Sequence, residues 1–155
     1  MTTTWCSTPD RIAAVHTASL RWVGTPWAAN SDACGPRGGV SCHNLPRAIY
    51  IEAGFLTPSF PRMKGDPERT RHSCESVMEP WLDGRPEFLR LAQGAPIRPG
   101  DLLGIRIFHC IDHLGVVGAD HHFAHVLQHK NVARDFISDP TWSRRILGIW
   151  RPVTE

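Results

Sequence analysis

Cys42 has the setting that most favours chemistry in this sequence. It lies in Gly38-Gly-Val-Ser-Cys-His-Asn-Leu45, where a glycine-rich loop delivers a thiol to the first turn of an apolar, helix-spaced stretch. The N–H groups and dipole of a helix start favour the thiolate, which is the nucleophilic form of cysteine. The same N–H groups can stabilise an oxyanion, so one piece of backbone serves both nucleophile and oxyanion. Such a thiol needs a base, and two later histidines qualify. His113 opens the short apolar segment His113-Leu-Gly-Val-Val117, and His125 sits inside Phe123-Ala-His-Val126, where its ring needs a hydrogen-bond partner. If the sheet packs against the helix that begins at Cys42, these residues supply the nucleophile, base and orienting group of acyl transfer. The alternatives are structural: a cysteine is also a small buried hydrophobe, and a lone histidine often does no more than bond a backbone carbonyl.

The elements that must position these groups can be read in order. Thr8-Pro9-Asp10 combines a capping hydroxyl with a proline at the first helical position, and Ile12, Val15, Ser19, Leu20 and Val23 continue one face. Gly24-Thr-Pro26 ends that helix. A second helix is expected from about Cys42 to Ala53, and a third from Asp66-Pro67 to about Leu82. Pro86 to Ala92 reads as a further short helix. After the Pro99-Gly-Asp101 turn the period changes, and segments 102–108, 113–117, 122–127 and 145–150 read as short strands. The piece between them, 132–142, is expected to be helical or irregular. Helices first and an antiparallel sheet second is an α+β arrangement.

Composition narrows the function. A chain of 155 residues with 41% hydrophobic and 21% charged residues suits one soluble domain, without a linker or repeat. A net charge of +2, with no basic run, argues against nucleic acid as partner. No stretch approaches the roughly 20 apolar residues of a membrane span. Five cysteines without a C-x-x-C pair argue against a zinc ribbon or disulfide framework. His121, His122, His125 and His129, with His109, Cys110 and His113 upstream, match no zinc spacing, so neither metal nor other cofactor is expected. The start, Met1-Thr-Thr-Thr-Trp-Cys6, lacks the basic and apolar regions of a secretory signal.

Five short segments in order resemble the NlpC-type cell-wall cysteine peptidases, a papain-like family. They are Gly24-Thr-Pro-Trp27, Gly39-Val-Ser-Cys-His43, Pro99-Gly-Asp-Leu102, His113-Leu-Gly-Val-Val117 and Phe123-Ala-His125, followed by Trp142-Ser-Arg-Arg145 and Arg151-Pro. The resemblance implies helices packed on an antiparallel sheet of about five strands, as a single domain over 1–155. Its core would be about 10–152, with an insertion at about 56–95. It implies Cys42 as nucleophile, His113 as base and His125 as orienting residue, hydrolysing amide bonds of peptidoglycan stem peptides, often next to D-glutamate. Ser41, His43 and Trp27 would border the oxyanion and substrate cleft, and each departs from the family pattern. Ser41 replaces an aspartate, His43-Asn44 a Ser-Gly pair, and Trp27 a tyrosine. Other functions that fit are a non-catalytic module of a phage-tail-like assembly and a thiol-dependent acyl or peptidyl transferase. The chain is expected to be cytoplasmic as synthesised, reaching a wall by lysis, a tail-like device or a secretion system.

Overall fold

A computed structural model describes residues 1–63 and 74–155. Helix α1 (Pro9–Trp22) starts where the capping hydroxyl predicts, with the Arg11 N–H donating to Thr8 Oγ1 at 3.3 Å. Its buried face runs through Val15, Ala18, Ser19 and Trp22. Leu20 and Val23, read as part of that face, are instead exposed. Trp22 is large enough to turn the helix onto its own side. The Ser19 hydroxyl is satisfied within the helix, donating to the Val15 carbonyl at 2.9 Å.

Two short strands, β2 (Asp32–Ala33) and β3 (Gly39–Val40), pair antiparallel and lead into α2 (Asn44–Glu52). Leu45, Ile49 and Tyr50 of α2 are fully buried. The Tyr50 hydroxyl donates to the Gly100 carbonyl at 2.8 Å, which ties the helix to the turn before the main sheet. Helix α3 (Met78–Asp83) covers the end of the expected third helix. The proposed start at Asp66-Pro67 lies outside the described residues. The described parts of 56–95 contribute Leu56, Phe60, Met63, Met78, Leu82 and Phe88 to the core.

Among the described residues, seven strands rather than about five form the main sheet, in the order β1-β9-β5-β6-β7-β8, with β4 also on β9. They are β1 (Thr3–Thr4), β4 (Phe88–Arg90), β5 (Leu102–Arg106), β6 (Ile111–Val117), β7 (His122–His125), β8 (Ala133–Phe136) and β9 (Ile146–Thr154), and every pairing is antiparallel. The extra strands are short pieces whose sequences carry little alternation. Segment 86–92 is therefore strand rather than helix over Phe88–Arg90, because Phe88 packs against Tyr50, Phe55 and Phe60 while Arg90 lies opposite Trp150 on β9. Segment 132–142 resolves into β8 and the short helix α4 (Pro140–Ser143), capped by Asp139 through the Thr141 N–H at 2.9 Å.

Strand alternation buries both faces of the sheet. Leu102, Leu114, Val116 and Trp150 join the helices in the larger cluster, while Leu103, Val117, Phe123 and Ile149 form a second one. The Trp150 ring fits because the glycines paired beside it have no side chain. A Cβ at Gly104 would lie 2.6 Å from that ring, and one at Gly148 2.8 Å. Asp101 is also buried, and its carboxylate accepts from Arg151 Nε at 2.9 Å and Nη2 at 2.8 Å. Gly104→Ala is therefore expected to lower stability by about 1–3 kcal/mol through overpacking, read as a lower denaturant midpoint with an unchanged m-value.

Candidate active site

The thiol is placed by a backbone that tolerates no side chain just upstream. A Cβ on Gly38 would sit 1.9 Å from the Ala33 carbonyl oxygen, so only glycine lets the β2–β3 pair close. The chain then turns at Ser41, whose carbonyl accepts from the Asn44 N–H at 3.2 Å and the Leu45 N–H at 3.0 Å. The second of these has helical i to i+4 spacing. The expected helix start at Cys42 is thus shifted: Cys42 and His43 form the turn that leads into α2, which begins at Asn44 with His43 as its N-cap.

Cys42 and His113 line one cavity of about 240 Å³, walled also by Trp27, Phe108, Val126 and His129. Trp27 meets the His129 ring edge-on at 5.3 Å. The wall at Ile107 and Phe108 is held by Asp112, whose carboxylate accepts both backbone N–H groups at 2.7 and 3.1 Å. His113 Nε2 lies 2.8 Å from His125 Nδ1, and His125 Nε2 lies 2.6 Å from Asp135 Oδ2. The Trp142 ring stands edge-on to His125 at 4.7 Å and Phe123 packs beside it at 4.6 Å. Both imidazoles are buried, at 3% and 2% exposure.

The structure therefore brings Cys42, His113 and Trp27 to one cavity, with His125 directly behind His113. Ser41 and His43 are also buried but do not line that cavity. Ser41 Oγ lies 3.5 Å from His43 Nε2, and His43 borders a small pocket with Pro46, Tyr50, Leu102 and Leu114. Sequence reasoning missed Asp135, which sits on the short strand β8, and gave Trp142 no role at the site. The signal available for Asp135 was its place in a four-residue strand-like stretch, Ala133-Arg-Asp-Phe136, after the His125 strand. Among the described residues no group of three or more His, Cys, Asp or Glu side chains is arranged to hold a metal ion. His121 is in a left-handed turn, and His122 lies 3.0 Å from the Asp120 carbonyl.

Burial pushes the His113 imidazole well below its ordinary value of 6.5, and the neighbouring His125 lowers it further. Burial also lowers His125, although Asp135 opposes the shift. Both rings are thus held neutral near neutral pH, the form in which an imidazole can take a proton.

A thiol in the turn ahead of a helix, sharing a cavity with a strand-borne histidine that a second histidine backs, on an antiparallel sheet covered by helices, fits an α+β fold of the NlpC/P60 type. Solved structures with that fold include three NlpC/P60 proteins. The first is a protein from Staphylococcus aureus subsp. aureus Mu50 described as similar to lipoprotein, NLP/P60 family. It matches with a TM-score of 0.62 and 14% identity, over 99% of this chain and 45% of its own. NlpC1 from Trichomonas vaginalis matches at 0.60 and 14%, over 98% of this chain and 48% of its own. The NlpC/p60 domain of peptidoglycan hydrolase SagA matches at 0.55 and 15%, over 89% of this chain and 96% of that domain. The chain thus spans less than half of the staphylococcal and trichomonad proteins. No protein-family model and no curated protein matches the sequence. No described helix is long and apolar enough to cross a membrane.

The lowered histidine pKa values set a pH dependence of stability. Above the ordinary value of 6.5 both folded and unfolded chains hold these rings neutral, and their contribution to stability is fully present. As pH falls below that value the unfolded chain takes up protons first, so stability declines toward the lowered folded values. Denaturant midpoints are expected to drop between about pH 7 and about pH 5, with a shallower drop in His113→Gln.

Proposed function

We propose that the protein is a thiol amidohydrolase acting on amide bonds of peptidoglycan stem peptides. In this reading Cys42 is the nucleophile, His113 the general base and His125 the ring that orients it. The observation carrying the proposal is that Cys42 and His113 open on the same cavity while Nε2 of His113 is held 2.8 Å from His125. That contact commits Nε2, and Nδ1 is the ring nitrogen left for the thiol.

The chemistry follows in two halves. The Cys42 proton passes to His113 Nδ1 as sulfur attacks the amide carbonyl, and the oxyanion forms beside the opening turn of α2. Collapse breaks the C–N bond, and the imidazolium returns the proton to the departing amine, leaving a thioester. Water then attacks the thioester with His113 again accepting a proton, and the acid and thiol are released. Trp27 and Phe108 wall the acyl site, while Ser41 and His43 brace the turn from behind. The substrate class is supported by the fold shared with the SagA domain, described as that of a peptidoglycan hydrolase. Hydrolysis next to D-glutamate is the specific cleavage proposed.

Incubation with purified muropeptides followed by mass spectrometry tests the proposal. The parent protein should yield peptides that have gained the elements of water, and Cys42→Ala should lose this turnover by at least about a thousandfold. Equal turnover in Cys42→Ala, or none in the parent, would overturn it.

A further inference from the structure

We infer that Asp135 is a positioning residue which, through His125, fixes which nitrogen of His113 carries the proton and so leaves Nδ1 as the acceptor for the Cys42 thiol. The inference rests on the proposed thiol chemistry for its purpose, while its hydrogen-bond logic rests on two contacts between neutral, buried rings and a carboxylate. A carboxylate has only acceptors. With Asp135 Oδ2 only 2.6 Å from His125 Nε2, that nitrogen must carry hydrogen. A neutral imidazole has one N–H, so His125 Nδ1 is a bare acceptor. The 2.8 Å contact then requires His113 Nε2 to donate, which strips the proton from its Nδ1. Starting from a carboxylate and two neutral rings, no other assignment satisfies both contacts.

The fold makes the relay accessible to Asp135 from a modest position. Ala133 lies opposite His125 in the β7–β8 register, so Asp135 is the diagonal neighbour two residues along the same strand. Diagonal neighbours are within reach of long side chains. The carboxylate stays partly in water at 40% exposure, whereas the His125 side chain is at 2%. The charge thus stays hydrated while its hydrogen bond reaches a dry ring. The adjacent Arg134 is engaged elsewhere, pairing with Asp120. Burial keeps both histidines neutral, as the relay needs.

A structural role for Asp135, a bond that merely pins β8 to β7, would leave the tautomer of His113 to chance. Nitrogen-15 NMR of histidine-labelled native protein at neutral pH reads the tautomers directly, and both His113 and His125 should carry their proton on Nε2. In Asp135→Ala the single tautomer of His113 should give way to a mixture. Turnover of muropeptides should fall in kcat on the order of 10- to 100-fold with KM little changed, by analogy with metal-bound histidines that lose their outer hydrogen-bond partner. Asp135→Glu, which keeps a carboxylate, should recover most of the loss. A native His125 protonated on Nδ1 would overturn the inference, as would an unchanged His113 tautomer in Asp135→Ala. If the tautomers are as stated but the native protein turns over no muropeptide, the relay is upheld and the hydrolase reading alone fails.

Discussion

Burying two imidazoles side by side imposes strict terms on the surrounding chain. An unsatisfied polar group away from water costs about 1–3 kcal/mol, and a buried charge costs more. Each ring here meets those terms by facing the other at 2.8 Å, and the outer ring meets them again at Asp135. The apolar rings of Phe123 and Trp142 pack against the pair and fix its orientation. Strands β6, β7 and β8 must therefore keep their register, since a one-residue slip would turn each histidine to the opposite face. The neutrality of His113, its alignment and its reach into the cavity all depend on this arrangement.

The thiol side depends on a different set of contacts. Gly38 lets the loop close, Ser41 starts the helical bonding, and the buried face of α2 sets the depth of Cys42. Tyr50 then joins α2 to the turn ahead of β5, while the Asp101–Arg151 pair joins that same turn to β9. Breaking a buried pair by removing one partner typically costs about 3–5 kcal/mol. The Pro99-Gly-Asp-Leu102 segment, which resembles a family motif, thus has a physical role in anchoring the sheet to the helix that carries the thiol.

How much of this was legible in the sequence follows from the range of each interaction. The helix-start setting of Cys42 and the cap at Thr8 are local, so residue types alone displayed them. The strands carrying His113 and His125 were legible because their apolar residues are continuous. Strand β4 was not, because Phe88–Arg90 is only three residues long, with Pro86 close before it, and its identity depends on pairing with β9. The same reason hid β1 and β8. Leu20 and Val23 fitted a helical face by spacing, yet the packing of Trp22 decided which face is buried. Asp135 shows the limit most clearly: a carboxylate on a short, partly exposed strand resembles any solvated charge until the β7–β8 pairing sets it beside His125. Ser41 and His43 neighbour the thiol in sequence, but the turn ahead of α2 points them at each other rather than into its cavity.

In the proposed chemistry Cys42 is activated by its place in the turn just ahead of α2 and by His113. The other thiols provide an internal control. Burial pushes Cys6 up to about 12 and raises Cys110, whereas Cys74 is exposed and open to reagent. Competitive labelling with limiting iodoacetamide at mildly acidic pH, mapped by peptide mass spectrometry, compares all five in one sample. The account predicts that Cys42 is alkylated ahead of Cys74 despite being far less exposed. Alkylation of Cys74 first, with Cys42 reacting no faster than the remaining thiols, would contradict it.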